Sequence, residues 1–141
     1  MSGINSGVFG ASAPVQQSGS GFNGIIIENV PCHPTVFVNA AVRMSTGTAF
    51  NALADSLANS NVIGFVIAKI SSEVCNVRIS GLTEAVFSGL DDTKEYFLSD
   101  TVAGEITTTI PTTSGHVVYR LGIPFSATQF AIDKAARFVR A

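Results

Sequence analysis

Residues 95–121 constrain the fold of this chain more than any other stretch, because they contain three short runs in which apolar and polar residues alternate. Ile106 and Ile110 lie on one face of the second run, and Tyr119 and Leu121 lie on one face of the third. A period of two residues is typical of β-strands that bury one face. The stretch therefore predicts a β-meander in which these four side chains hold the fold together.

Other runs of β-branched or alternating residues lie on both sides of this meander, separated by turn signals. They cover residues 25–27, 35–44, 62–70, 74–80, 82–87 and 128–132. The run at 62–70 is apolar almost throughout, which predicts a central strand buried on both faces. Spacings of about 8–12 residues between strands are typical of sandwiches and barrels. We predict an all-β fold, a small β-sandwich or barrel of about eight short, mainly antiparallel strands, with a flexible N-terminal arm and one short helix.

The short helix is expected within residues 47–60, where Phe50, Leu53 and Leu57 fall at positions i, i+3 and i+7. This spacing places apolar side chains on one face of a helix. The asparagine residues of the same segment also suit turns, so a strand followed by an irregular loop is the alternative. The pattern does not determine the structure of the tail at residues 134–141.

The chain divides into an N-terminal arm at residues 1–21 and a β-rich domain at residues 22–141. The arm is rich in Gly, Ser and Ala and follows neither the helical nor the strand period, which predicts a flexible segment. Val8 and Phe9 are apolar residues within it. One hypothesis is that they bind a neighbouring subunit, and the alternative is a terminus without a role.

The balance of residue types indicates a protein that assembles with other chains. Hydrophobic residues make up 46% of the chain and charged residues 13%, whereas the usual charged share is about 25%. The longest apolar run, residues 62–70, falls well short of the ~20 residues that a membrane-spanning helix needs. We therefore expect a surface buried against other protein chains, and no membrane partner. A monomer covered by Ser, Thr and Asn is the alternative.

Charge and the N-terminal sequence argue against two further classes of protein. The net charge is −2, and the basic residues are scattered except for three in the tail. A nucleic-acid partner is not expected, because such proteins carry a basic stripe interleaved with aromatic residues. The first residues lack the apolar segment of about 7–15 residues that marks a secretory signal. We expect a protein made in the cytosol, with its cysteines reduced.

No metal or cofactor site is predicted. The chain has two cysteines and two histidines, which are Cys32, Cys75, His33 and His116. No pair of them has the spacing of a zinc motif. Cys75 alternates with apolar Val77, which predicts a position in the core. His116 follows a glycine, and we interpret it as a strand-entry or interface residue.

No catalytic residues are predicted either, and we expect the protein not to be an enzyme. Ser99, Asp100 and His116 have the residue types of a serine hydrolase, but no Gly-x-Ser-x-Gly motif accompanies them. Asp91 and Asp92 are adjacent and point to opposite sides of an extended chain, whereas the two carboxyls of a glycosidase face each other ~5–9 Å apart. Turn formation explains these residues better.

Several segments from residue 41 onward are typical of one group of proteins. They include Ala-Val-Arg-Met-Ser at 41–45, Asn-Val-Ile-Gly-Phe-Val-Ile-Ala-Lys at 61–69, Val-Arg-Ile-Ser-Gly at 77–81, Phe-Ser-Gly-Leu at 87–90, Tyr-Phe-Leu-Ser-Asp at 96–100, Gly-Glu-Ile-Thr-Thr-Thr-Ile-Pro at 104–111, Gly-His-Val-Val-Tyr-Arg-Leu-Gly at 115–122 and Phe-Ser-Ala-Thr-Gln-Phe at 125–130. Their order resembles small virion proteins and fibre-associated domains of tailed bacteriophages. The resemblance implies a β-rich module of a phage particle, often trimeric, on the capsid surface or in a fibre.

Within this group, a short chain without repeats favours a capsid decoration (cement) protein on the phage head surface, which bridges capsomers. Its expected partners are the major capsid protein and further copies of itself in a homotrimer. A tail or head-fibre component that contacts the host surface is the alternative. The residues expected at a capsid or subunit interface are Val8, Phe9, Phe22, Ile25, Ile27, Thr107, Thr109, His116 and Phe138.

Overall fold

The computed structural model describes residues 24–141, and the predicted arm at residues 1–21 lies outside them. The described residues form twelve short β-strands and no helix. The strands are β1 Ile26–Pro31, β2 Ala41–Ser45, β3 Thr48–Asn51, β4 Gly64–Ser71, β5 Val74–Arg78, β6 Gly81–Leu82, β7 Tyr96–Leu98, β8 Ile106–Thr107, β9 Val117–Val118, β10 Arg120–Pro124, β11 Phe130–Ile132 and β12 Phe138–Val139.

These strands assemble into two five-stranded sheets and one two-stranded sheet. The first sheet has the order β1-β5-β4-β2-β3, the second has the order β6-β11-β10-β7-β8, and the third pairs β12 with β9. The pairings between these strands are antiparallel. The protein is therefore all-β and folds as a small β-sandwich, as predicted, although its strands are shorter and more numerous than expected.

The core between the two large sheets is built on aromatic rings. Phe65 of β4 faces Phe130 of β11 with ring centroids 5.3 Å apart. Phe87 lies 5.8 Å from the first ring and 5.9 Å from the second, and Tyr96 of β7 meets Phe130 edge-on at 6.1 Å. Such aromatic pairs contribute ~0.5–1.5 kcal/mol each beyond the burial of their area. The four rings therefore fix how the sheets stack.

A second cluster of buried residues covers the opposite face of the first sheet. Val66 on β4 and Cys75 and Val77 on β5 are fully buried in this cluster, and Val36 joins it from the chain between β1 and β2. Because Phe65 and Val66 are neighbours in a strand and point to opposite faces, β4 is buried on both sides. The central position of this strand and the core position of Cys75 are confirmed. Burial on both faces holds for its first residues, Gly64 to Val66, whereas Ile70 is 57% exposed.

The helix predicted within residues 47–60 is wrong, and the alternative of a strand followed by an irregular loop is confirmed. Residues Thr48–Asn51 form β3, which pairs with β2 across a two-residue turn at Thr46 and Gly47. Both turn residues have positive φ angles, 48° and 81°, which tight hairpin turns require. Leu57 is 50% exposed, so the apolar stripe that indicated a helix lacks the packing that stabilises a short one.

One of the four side chains expected to hold the meander together lies at the surface. Tyr119 and Leu121 are buried and Ile106 packs against the core, as predicted. Ile110 is 45% exposed, which corrects the prediction. In the described sheets β8 is an edge strand paired with β7 alone. It ends before Ile110 because the residues that follow have no second neighbouring strand, and Pro111 has no N–H to donate.

We expect Phe130→Ala to lower the free energy of unfolding by about 3–5 kcal/mol, because the change leaves a cavity at the centre of the aromatic core. Urea unfolding followed by circular dichroism measures the loss. Phe125→Ala is the matched control, since that ring is 66% exposed. Its removal should change the free energy of unfolding by about 0.5 kcal/mol or less. Equal losses in the two variants would contradict this account of the core.

Candidate interaction surface

Strand β12 gives the domain an open apolar edge. Phe138 pairs with Val118 and Val139 pairs with Val117 of β9, and β12 has no second neighbour among the sheets of residues 24–141. Phe138 is 53% exposed and Val139 is 45% exposed. Since neighbouring residues of a strand point to opposite faces, β12 is open on both faces as well as along its outer edge. We call Phe138 and Val139 the terminal edge.

Backbone hydrogen bonds fix the position of β9 and β12. The N–H of Arg140 donates to the carbonyl oxygen of His116 at 2.7 Å, and the N–H of Gly115 donates to the carbonyl oxygen of Arg140 at 2.9 Å. On the other side of β9, the N–H of Val117 donates to the carbonyl oxygen of Ala54 at 2.9 Å. Strand β9 therefore has partners on both sides, and β12 is the outer strand.

Arg137 anchors the tail to the loop that follows β3. Its Nη1 donates to the carbonyl oxygen of Leu57 at 2.7 Å and to Oγ of Ser60 at 3.0 Å. Its guanidinium also lies 5.7 Å from the ring centroid of Tyr119, within the range of a cation–π contact. This basic residue of the tail is thus engaged inside the domain, next to the terminal edge.

Lys134 makes a second anchor at the start of the tail. Its Nζ donates to the carbonyl oxygens of Val62 at 3.1 Å and Ile63 at 3.5 Å. Burial lowers the pKa of Lys134 from its ordinary value, because desolvation disfavours the charged form. The two anchors hold the tail in place while the apolar residues after them stay exposed.

His116 lies immediately before β9 and is hydrogen-bonded to the carboxylate of Asp100. Its Nδ1 lies 2.9 Å from Oδ2 of the carboxylate, and 28% of the His116 side chain is exposed. An ionised carboxylate accepts hydrogen bonds and cannot donate them, so Nδ1 is the nitrogen that carries the proton. The contact fixes the orientation of the ring, which can serve either an interface or a proton transfer.

The structure brings together two of the three residues that have the types of a serine hydrolase. The third, Ser99, is buried, and its Oγ accepts hydrogen bonds from the backbone N–H groups of Thr101 at 3.1 Å and Val102 at 3.0 Å. The Ser99 hydroxyl therefore caps the following turn, in agreement with its interpretation as a turn residue.

Four of the residues predicted for an interface lie in or next to edge strands of the two large sheets. Ile25 immediately precedes β1, the edge of the first sheet, and Ile27 lies in β1 and is 38% exposed. Thr107 ends β8 at the edge of the second sheet, and Thr109 follows it in an exposed turn with its N–H bonded to Thr107 Oγ1 at 3.0 Å. The predicted residues are therefore distributed over separate strands.

His116 and Phe138 are the pair of predicted interface residues that the structure brings to one small sheet. His116 accepts a backbone hydrogen bond from the tail, and Phe138 belongs to the terminal edge. Three further predicted residues lie outside the described residues, and they are Val8, Phe9 and Phe22.

The cysteines and histidines considered as metal ligands do not come together in one group within the described residues. Within residues 24–141, no group of three or more His, Cys, Asp or Glu side chains is placed to hold a metal ion. His33 stacks on Phe50 with ring centroids 5.4 Å apart, and its Nδ1 lies 2.8 Å from Oγ1 of Thr35. Cys32 and Cys75 are both buried with free thiols.

No helix in the described part of the chain has the length and apolar character needed to cross a membrane.

A shallow cleft lies between the two large sheets at the end of β8. Its volume is about 190 Å³, and Asn39, Phe87 and Glu105 are among its lining residues. Asn39 has a positive φ of 73°, and its Nδ2 donates to the carbonyl oxygen of Val86 at 3.0 Å. Ligand sites usually enclose about 300–1,000 Å³, so this cleft is small for a site of that kind.

Val139, the neighbour of Phe138 in the terminal edge, was not among the residues predicted for an interface. Val139 follows it in β12, but a strand of two residues is too short to show a period. The signal available was the pairing of an aromatic and a β-branched residue, which is common in strands. Other exposed apolar side chains that were not predicted for an interface include Leu57, Ile70, Val102, Ile123 and Phe125.

Comparison of the chain with protein-family models, with curated proteins and with solved structures finds no match in any of the three.

We expect Arg137→Ala to lower the free energy of unfolding by about 1–3 kcal/mol, because it removes a charged donor to two oxygen atoms and a cation–π contact. Arg137→Lys should recover part of the loss, since an ammonium keeps the charge without the planar fork. Urea unfolding gives the stability, and faster hydrogen exchange of the Arg140 amide reports loosening of β12. Lys94→Ala, at an exposed position, is the control. An unchanged Arg137→Ala protein would contradict the anchoring role.

Proposed function

We propose that the protein is a structural virion protein of a tailed bacteriophage, a capsid decoration protein that binds the assembled head and associates with itself as a trimer. The observation that carries the proposal is the terminal edge, where Phe138 is 53% exposed and Val139 is 45% exposed on an outer strand. Edge strands present unpaired N–H and C=O groups to any strand that approaches. An apolar edge strand therefore favours association with another protein chain.

Composition supports the same proposal. Only 13% of the residues are charged, and charged residues are the usual means by which an edge strand avoids pairing with other chains. The resemblance of the segments from residue 41 onward to phage virion proteins supports a place in a phage particle. In that setting the natural partners are further copies of the chain and the major capsid protein.

The proposed physical role is to stabilise the capsid by binding it only after the shell has assembled. A decoration protein that binds the assembled shell and not its free subunits stabilises the shell by mass action. Many copies on one particle multiply a modest affinity per copy. A small sandwich with an apolar edge can therefore stabilise a capsid without any chemical step.

Self-association is tested with a charge placed on the terminal edge. We expect the wild-type protein to be trimeric by light scattering and Phe138→Asp to be monomeric, because burial of an unpaired carboxylate against a neighbour is unfavourable. Phe125→Asp is the matched control, since Phe125 is also an exposed phenylalanine. It should stay trimeric, and both variants should keep the wild-type circular dichroism spectrum. A wild-type protein that is monomeric over the whole concentration range would overturn the trimer.

The decoration role is tested on particles. Particles that lack the protein are expected to release their DNA at lower temperature than wild-type particles, and added purified protein should restore the difference. Electron microscopy should place the protein on the head surface. Density on the tail or on fibres would favour a host-contacting fibre component instead. Particles that withstand heat and low salt equally well without the protein would defeat the decoration role.

A further inference from the structure

Both cysteines of the chain lie in the same buried cluster. Cys32 follows β1 and is 3% exposed, and Cys75 lies on β5 and is 0% exposed. Each has a free thiol, and each packs in the cluster on the outer face of the first sheet. Besides packing as small apolar residues, two neighbouring thiols can form a disulfide by a two-electron oxidation.

The register of β1 and β5 brings the two side chains to one face. Val30 pairs with Cys75 and Pro31 with Val74, and the N–H of Cys32 donates to the carbonyl oxygen of Glu73 at 2.9 Å. Cys32 is therefore two residues beyond the partner of Cys75. Alternate residues of a strand share a face, so Cys32 and Cys75 are diagonal neighbours. Both side chains pack in the same buried cluster.

Closing a bond between them requires a small movement. Diagonal neighbours have Cα atoms ~7–8 Å apart, whereas the Cα atoms of a disulfide lie ~4.4–6.8 Å apart. Strand β1 pairs with β5, and Cys32, just after it, forms an isolated bridge with Ala49 of β3. The N–H of His33 donates to the carbonyl oxygen of Ala49 at 2.9 Å. A shift of Cys32 toward Cys75 therefore has to loosen this bridge to β3.

The surroundings of the two thiols make their oxidation slow while β1 stays paired in the sheet. Burial raises the pKa of Cys75 to about 12, with further contributions from the adjacent Cys32, while the charge of Lys69 acts in the opposite direction. The Lys69 ammonium is itself held by the carbonyl oxygens of Val36 at 2.8 Å and Ser72 at 3.1 Å. Because the thiolate is the reactive form, oxidation requires β1 to open and admit water.

We propose that Cys32 and Cys75 form a redox-responsive pair, which closes to an intramolecular disulfide when the protein meets a peroxide or a small-molecule disulfide. With hydrogen peroxide, the Cys32 thiolate attacks one oxygen and the O–O bond breaks. The hydroxide that leaves takes up the proton lost by the Cys32 thiol, so Cys32 sulfenic acid and one water result. The Cys75 sulfur then attacks the Cys32 sulfur and displaces the second oxygen, which leaves as water with the remaining thiol proton. The two thiols are oxidised by two electrons and the peroxide is reduced to two waters. With a small-molecule disulfide, the Cys32 thiolate breaks its S–S bond, forms a mixed disulfide and releases one small thiol. The Cys75 sulfur then displaces the second small thiol, so the small disulfide is reduced to two thiols.

The expected effect of the disulfide is a more stable attachment of β1 to the rest of the sheet. The bond would link β1 to β5 and restrict the unfolded chain between residues 32 and 75. A native disulfide that closes a loop of this size raises the melting temperature of a small domain by about 10 °C. A protein made in reducing surroundings would thus become more stable after it reaches oxidising ones. This inference does not depend on the proposed virion role.

The test uses the full-length reduced protein incubated with hydrogen peroxide or with oxidised glutathione, then unfolded and alkylated with iodoacetamide. We expect the intact mass to fall by two hydrogen atoms, no cysteine to be alkylated, and the chain to migrate as a monomer on a non-reducing gel. A proteolytic digest should contain one cross-linked species that joins the Cys32 and Cys75 peptides. Two alkylated thiols, glutathione adducts, sulfinic acids or disulfides between chains would each overturn the proposal.

Thermal unfolding supplies a second readout that does not require any variant to be as stable as the wild type. The oxidised wild type should melt about 10 °C above the reduced wild type, and dithiothreitol should reverse the shift. Cys32→Ser and Cys75→Ser should each melt at the same temperature before and after the oxidant. An oxidised wild type that melts no higher than the reduced form would overturn the stabilising role.

Discussion

The contact between Phe65 and Phe130, with ring centroids 5.3 Å apart, is the interaction on which the rest of the structure depends, because it joins the two large sheets. Glycines beside the rings permit close approach of the strands. A Cβ at Gly64 would collide with the backbone of β5, and a Cβ at Gly122 would collide with the backbone of β11. These glycines therefore allow β4 to lie close to β5, and β10 to lie close to β11, within the sheets that carry the rings.

The fold class was predictable because a period of two residues is a local property of the sequence. Strand ends and strand pairings depend on residues that are distant in the sequence. The predictions for residues 47–60 and for Ile110 were wrong for this reason. Residues 47–60 have helical spacing, yet β3 pairs with β2 because that pairing buries Ala49 completely. Ile110 continues the alternation of β8 but has no neighbouring strand to bury it, and it is 45% exposed. Tertiary partners outweigh local preference in both places.

The candidate site was less predictable than the fold for the same reason. His116 and Phe138 were identified from their residue types, but nothing local indicates that the tail returns to pair with β9. Asp100 and His116 are separated by 16 residues and meet at 2.9 Å, because the chain reverses between β7 and β9. Pairing between distant strands forms the candidate site. A strand of two residues is too short to show a period from which that pairing could be predicted.

The basic residues show why the terminal edge offers a partner so little charge. The chain has 8 Lys and Arg residues, and most of them bind groups of their own domain. Arg78 forms an ion pair with Glu84 at 2.8 Å, and Arg120 donates to the carbonyl oxygen of Asp133 at 3.0 Å. The side chains that donate to other backbone carbonyls are Lys69, Lys134 and Arg137. The association proposed for the terminal edge would therefore depend on apolar burial and strand pairing, which salt screens far less than contacts between exposed charges.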